Sequence, residues 1–447
     1  MLNVRTIIPL GILAVAIGLV SACSSKAADT SGKLCTPGAY VYCRCEDRSE
    51  GTKLCHDDGA AFDDCKCDGS GNDITSSGGN PPPDLDGGIE PVDSGGPTGG
   101  PQIEAACAGK LGVVAGDDTD TYTYMATYKG SGNWDASRGH PGIRSAATVL
   151  PVSGSLVATY AGTFQAILWT KLEAGAWSAP FSVGSAQQAG PPASVVFNGG
   201  VRLLYLGADG TYHMGTYAAS GWDDATAVAE PTGGITVPGK SPPAVAAIST
   251  SVVMTLAGND GTLARTTYSS SAWSTLGKFT GASAYESQPS MVALDTGGAK
   301  DLLLVYTGDD ILLHYVTRDS ATHTWGTAAV VDSAAATAGA NPSETSLASM
   351  PGGKAMLVWR GSNNAGYYSV WDPAKGFAAP QELLAGDPEL ASSPVVTRGT
   401  CGSDVTVAYA KKDGGVELMR YAGGTWNGPF TVGGITKATY VGVGEMP

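Results

Sequence analysis

From about residue 103 onward, short apolar runs alternate with small polar turns, and one arrangement keeps returning. Residues 201–222 read VRLLYLGADGTYHMGTYAASGW: an apolar run, Asp-Gly, a second run rich in Tyr, and a Trp five residues after a Tyr. The same order recurs in VVMTLAGNDGTLARTTYSSSAW (252–273), LLLVYTGDDILLHYVTRDSATHTW (302–325) and VTVAYAKKDGGVELMRYAGGTW (405–426). Looser copies are LVATYAGTFQAILWTKLEAGAW (156–177) and AMLVWRGSNNAGYYSVWDPAKGF (355–377). Each follows a proline and another short apolar run, as in PPASVVF, PPAVAAI, PSMVAL and SPVVT. The closing aromatics stand at 177, 222, 273, 325, 377 and 426, a period of 45 to 52 residues that marks a repeat architecture.

Each unit reads as four short strands. The first follows the proline; the second and third form a hairpin whose Asp-Gly tip suits the positive backbone angles of a tight turn; the fourth opens at the Trp. Near-continuous apolar runs such as 201–206 predict middle strands covered on both faces. No segment sustains a helical period. Four strands per unit, none able to bury both faces alone, predict β-propeller blades with the Trp as a wedge between neighbours. Six copies are complete. LGVVAGDDTDTYTYMATYKGSGNW, ending at Trp134, aligns with strands two to four, and the final ITKATYVGVGEMP is a lone strand. Joined, they make a seventh blade, so residues 103–447 are expected to form an all-β, seven-bladed β-propeller closed by the C-terminal strand.

Cysteine usage extends the picture. Cys107 precedes the second strand of the split blade and Cys401 lies in the turn before the second strand of the sixth unit, so a disulfide between them is expected to lock the seam. Six more, Cys35, Cys43, Cys45, Cys55, Cys65 and Cys67, fall within residues 35–67 with few apolar residues between them. A segment this small needs covalent staples. Fifteen connectivities remain open, and a zinc site using His56 is the rival reading, against which the absent C-x2-C spacing stands.

The ninth, Cys23, ends MLNVRTIIPLGILAVAIGLVSAC, where one Arg precedes an apolar run from Ile7 to Val20. That run is shorter than the roughly 20 residues of a membrane-spanning helix and reads as a removable export signal over residues 1–22. Its ending, Val20-Ser21-Ala22-Cys23, resembles the lipobox of bacterial lipoproteins. The resemblance implies cleavage before Cys23, lipidation of its thiol, and, with Ser24 following rather than Asp, an outer-membrane address in an oxidising compartment. Residues 23–34 are then a short tether. Residues 68–102, rich in Gly, Ser and Pro with six acids and no Lys or Arg, read as an extended linker.

The formal net charge of −15 argues against nucleic acid or an anionic lipid surface as partner, leaving the lipid anchor as the membrane contact. The five His, at 56, 140, 213, 314 and 323, show no metal spacing, and neither a Ser-centred elbow nor a phosphate loop stands out. Asp209, Asp260, Asp309 and Asp413 sit at hairpin tips, where turn chemistry accounts for them. No catalytic residue, metal or cofactor is assigned, and the chain is expected to act as a monomer.

The repeat resembles those of bacterial seven-bladed lectins, in which Asp-Gly or Asp-Asn leads into a Tyr-rich strand and a Trp opens the next; DGTYHMGTYAASGW and DGTLARTTYSSSAW carry the likeness. Sialidase Asp-boxes are absent, and Trp-Asp pairs occur at inconsistent places for WD repeats. The resemblance implies sugar bound between blades, stacked on Trp177, Trp222, Trp273, Trp325 and Trp426, with His213 and His314 on the third strands. Interblade packing alone also demands a Trp at a fixed place in each blade, and the two His do not align in the repeat and read as ordinary strand residues. The expectation is an envelope-anchored propeller that recognises carbohydrate. A protein-interaction or adhesion scaffold of the envelope is the competing reading, and a glycoside hydrolase drawing acids from several blades is the third.

Overall fold

The computed structural model describes residues 103–447, except 118, 120–121, 219–220, 224–225, 228–236, 238–239, 286, 296–297, 332–339 and 385–388, together with residues 40–44, 50–54, 56, 58, 61, 63 and 90–92. The leader, Cys23, the tether, the side chains of Cys35, Cys43, Cys45, Cys55, Cys65 and Cys67, and the linker apart from residues 90–92 lie outside the described residues. The chain divides into two compact units, Met1–Pro83 and Asp84–Pro447. In the first, Tyr40–Arg44 pairs antiparallel with Glu50–Leu54, and His56 Nε2 lies 2.8 Å from Asp63 Oδ1.

In the second unit the described strands form seven antiparallel sheets. Blade 1 joins Tyr440–Glu445, Leu111–Gly116, Thr123–Gly130 and Asn133–Gly139. Blade 2 runs from Thr148–Val152 to Ala176–Trp177, blade 3 from Ala193–Phe197 to Gly221–Trp222, and blade 4 from Ala244–Ile248 to Ala272–Trp273. Blade 5 runs from Ser290–Ala293 to Ala329–Val330, blade 6 from Ala340–Met350 to Gly376–Phe377, and blade 7 from Val395–Arg398 to Thr425–Thr431. The first strands touch in order around a closed ring, that of blade 7 meeting Tyr440–Glu445 and the latter meeting Thr148–Val152. The all-β, seven-bladed propeller expected from the repeat is the fold observed.

Second strands are sheathed on both faces, as their apolar runs require: Leu111–Gly116, Ser155–Ala161, Ser251–Ala257 and Val405–Ala410 are buried along their whole length. In blades 2, 3, 4 and 6 the fourth strand breaks just after the closing aromatic. There Ser178 Oγ accepts the Lys171 N–H at 3.1 Å and Ser274 Oγ accepts that of Thr267 at 3.0 Å, replacing ladder bonds. The strand then resumes against the same third strand as Phe181–Gln187 and Gly277–Ser283. Residues Glu90–Val92, within the stretch read as linker, pair with the outer strand of blade 1, Glu90 opposite Arg138.

Closure is made at blade 1. Tyr440–Glu445 pairs with Leu111–Gly116 in a continuous register, Tyr440 opposite Gly116 and Glu445 opposite Leu111. A Cβ on Gly442 would fall 2.3 Å from the Ala147 carbonyl oxygen, so the approach to blade 2 requires glycine there. Cys107 and Cys401 are disulfide-bonded with Cα atoms 5.3 Å apart. Beside them Arg420, 1% exposed, donates from Nη2 to the Cys401 carbonyl at 3.1 Å and to Ser403 Oγ at 2.9 Å. It also pairs with Glu445, itself 1% exposed, at 3.4 Å, and with Glu104. Burial pulls the Arg420 pKa down while the Glu445 carboxylate opposes the shift. Glu445 in turn accepts the Thr400 N–H at 2.8 Å, tying the closing strand to blade 7.

Two stability predictions follow from the seam. The disulfide spans 294 residues of sequence, for which loop entropy predicts about 6 kcal/mol, measured values usually falling lower. The double variant Cys107→Ser, Cys401→Ser should keep the native β signal in circular dichroism yet unfold with about 2–4 kcal/mol less stability in denaturant titrations; an unchanged midpoint would show that the bond does not carry the seam. Arg420→Leu leaves Glu445 buried and unpaired and should cost about 3–5 kcal/mol. Adding Glu445→Leu should return much of that loss, a sign that additive single and double variants would contradict.

Candidate functional site

The repeated Trp positions open the outer hairpins. Trp222, Trp273 and Trp426 stand opposite Tyr217, Tyr268 and Tyr421, Trp177 opposite Leu172, and Trp325 bridges to Arg318. Trp177, Trp222, Trp273 and Trp426 lean on the third strand of the preceding blade, and Trp325 on Phe279 of the resumed fourth strand of blade 4. The Trp177 indole donates to the Ala126 carbonyl at 3.2 Å and the residue is 5% exposed. Trp273 shares a cluster with Met214, and Trp222, Trp273, Trp325 and Trp426 are half-buried.

The wall facing each Trp comes from one register of the third strand, the residue paired with the resumed fourth strand: Met125, Trp169, Met214, Arg265, Tyr315, Tyr368 and Leu418. Between blades 2 and 3 this makes an aromatic shelf. Trp169 lies 5.6 Å from Phe181, 5.2 Å from Tyr217 and 6.4 Å from Trp222 between ring centroids, and Phe181 is 50% exposed. Between blades 5 and 6, Tyr315 meets Phe377 at 5.1 Å. Between blades 6 and 7, Tyr368 meets Trp426 edge-on at 5.1 Å while Tyr421 lies 5.0 Å from the same ring. The Tyr368 hydroxyl donates to Gln381, and burial raises the Tyr421 pKa. Trp169, Phe181, Tyr315 and Tyr368 are not part of the obvious repeat. Register counting inward from each turn is the signal that finds them.

His213 and His314 prove equivalent, correcting the misalignment read from the sequence. Each lies on a third strand six residues after a glycine, Gly207 or Gly308, and faces a tyrosine on the second strand, Tyr205 or Tyr306. The rings stack at 5.0 Å and 5.5 Å with interplanar angles of 13° and 20°. His213 Nε2 sits 3.1 Å from Asp209 Oδ2 and His314 Nε2 2.9 Å from Asp310 Oδ1. A Cβ on either glycine would fall 2.7 Å from that imidazole nitrogen.

Asp209 is held down to about 2 by the Thr211 N–H, then by the Thr211 hydroxyl and His213. For Asp310 burial pushes upward, but His314 and the Leu312 N–H outweigh it and the net shift is downward. Burial lifts Tyr306 to about 12. In blade 5 the turn carboxylate is therefore Asp310, which accepts the Leu312 N–H at 3.0 Å, rather than Asp309. Asp260 and Asp413 cap their tips as expected, accepting from Thr262 and Gly415 at 2.9 Å. These Asp–His pairs lie at the far ends of the third strands from the Trp hairpins and act as local hairpin locks.

The first strands enclose a central cavity of about 490 Å³ lined by small and β-branched residues. Among its described lining residues stand one carboxylate, Glu344, and one guanidinium, Arg398, which pairs with Asp295. Among the described residues no group of three or more His, Cys, Asp and Glu is arranged to hold a metal ion.

No protein-family model matches the chain, and no curated protein sequence does. Solved structures do. The BP39L lectin from Burkholderia pseudomallei superposes with a TM-score of 0.53 at 13% identity, over 73% of this chain and 99% of that one. A triple arginine-to-alanine mutant of AofleA from Arthrobotrys oligospora gives 0.52 at 15% identity, over 68% and 91%. At these identities the likeness is one of fold.

Proposed function

We propose that the propeller is a carbohydrate-recognition domain displayed at a bacterial cell envelope, with sugars seated in the grooves between blades. The observation that carries this reading is the shelf of Trp169, Phe181 and Trp222. A half-exposed aromatic ring, Phe181, against Trp169, which in turn meets Trp222, is costly to leave wet and suits the C–H face of a pyranose. The pattern returns at Tyr315 with Phe377 and at Tyr368 with Trp426, so several grooves offer stacking surfaces at one register. The neighbour BP39L is by its name a lectin, which agrees with the reading.

The amino-terminal residues complete the proposal. A lipid on Cys23 anchors the chain, the six cysteines of 35–67 staple a small module by disulfides, and the acidic stretch before Glu90 is the spacer.

Two measurements test these assignments. On a glycan array the mature chain should bind a sugar class saturably, and Phe181→Ala and Trp222→Ala should each weaken that binding about tenfold. Phe181, at the surface, should do so without loss of stability. A folded protein that binds no glycan, or variants that bind unchanged, would overturn the site. Cys23→Ser should move the protein from the membrane fraction to the soluble fraction of an expressing bacterium; retention in the membrane would remove the anchor.

A further inference from the structure

The grooves differ at the wall register, and one of them carries a charge. In blade 4 that position is Arg265, where blades 2, 5 and 6 place Trp169, Tyr315 and Tyr368. The guanidinium lies 4.8 Å over the Phe279 ring and donates from Nη1 to the Lys278 carbonyl at 3.3 Å. Phe279 in turn meets Trp325 edge-on at 5.0 Å. Arg265 and Trp325, both half-buried, thus flank the buried Phe279 ring, 3% exposed, between blades 4 and 5.

Two features bear on this arginine. First, no carboxylate pairs with it among the described residues, as none does with Arg202 or Arg360, in a chain whose 41 acids outnumber its 26 bases. Arg318, Arg398 and Arg420 are matched to Asp301, Asp295 and Glu445, and Lys171 to Glu173. The charge that bears on Arg265 is the like charge of Arg318, and burial lowers its pKa. A half-buried guanidinium without a counterion is an unfavourable arrangement that an incoming anion would relieve.

Second, the residue opposite Arg265 is Gly277. At the same place Phe181 stands opposite Trp169 and Gln381 opposite Tyr368. A Cβ on Gly277 would lie 3.9 Å from Arg265 Nη1, so a side chain there would stand over the guanidinium, and its absence leaves the approach open.

Building on the carbohydrate reading, we infer that the groove between blades 4 and 5 is a subsite for an anionic sugar, whose acid group pairs with Arg265 while its ring lies towards Trp325. Carboxylate and sulfate ester share the planar or tripodal oxygen geometry that a guanidinium fork engages. A ligand of this kind would use charge for selection in this groove, where its neighbours between blades 2 and 3 and between blades 6 and 7 use aromatic faces.

The test is titration calorimetry of the mature chain with three oligosaccharides of one length: neutral galactan, the same sugar oxidised to galacturonan, and its 6-sulfated form. At least one anionic probe should bind ten times or more tightly than the neutral one, with an affinity that falls as salt rises; which of the two binds separates a uronic acid from a sulfated ligand. Arg265→Gln and Gly277→Phe should each abolish that preference, the second by covering an intact arginine, while the thermal midpoint and any neutral-sugar binding lost in Phe181→Ala persist. Anion preference that survives both variants, or neutral binding without any preference for the anionic probes, would overturn this inference alone. Failure of all three probes together with an empty glycan array would overturn the carbohydrate reading beneath it.

Discussion

Every blade has a second strand that is apolar on both faces, so no blade can be left with one side in water, and ring closure is the constraint from which the rest follows. Six junctions join blades that are neighbours in sequence and are held by packing of the repeated aromatic against the preceding blade. The seventh joins the two ends of the unit, and to the packing of Trp134 against blade 7 it adds further ties. There the Cys107–Cys401 bond, the six-residue ladder of Tyr440–Glu445 and the Arg420–Glu445 pair act together. A slip of one residue would turn Glu445 away from Arg420 and towards the opposite face, so the buried pair marks the register of the closing strand.

The architecture was legible because its signals are local and periodic. Asp-Gly tips, apolar runs and a recurring aromatic survive drift at any one position, and the orphan strand at the end named its own partner by leaving one blade incomplete. The histidines were misread for a definable reason. Counted from the Trp, His213 lies nine residues back and His314 eleven, because the outer turn of blade 5, between Asp319 and Thr324, is longer. Counted from Gly207 and Gly308 they coincide. Trp169 and Phe181 escaped notice for a related reason: Phe181 lies beyond the break after Trp177, where the sequence no longer alternates cleanly. The short strand Glu90–Val92 carries no apolar pattern at all, being joined to blade 1 through backbone bonds.

The grooves share a geometry and diverge in content. Between blades 1 and 2 the wedge Trp177 is buried and spent on packing, and between blades 7 and 1 the equivalent Trp134, 3% exposed, is packed in an apolar cluster with Leu418 and Phe430. Elsewhere the wedge is half-buried and the wall varies from Trp to Arg to Tyr. Structural wedge and ligand platform are therefore compatible roles for one ring, with its inner edge packed and its outer face free. What varies is the residue across from it, and that single register sets the chemical character of each groove.

The strand 440–445 is the last of these elements to leave a ribosome, while its partner, 111–116, is among the first of the ring. Blade 1 must wait, its inner edge unpaired, for the synthesis of more than 300 intervening residues. A chain that stops anywhere short of residue 445 can make blades but never a circle, and retains an open edge that invites aggregation or proteolysis. The placement of the closing strand thus makes synthesis through residue 445 a condition of ring closure.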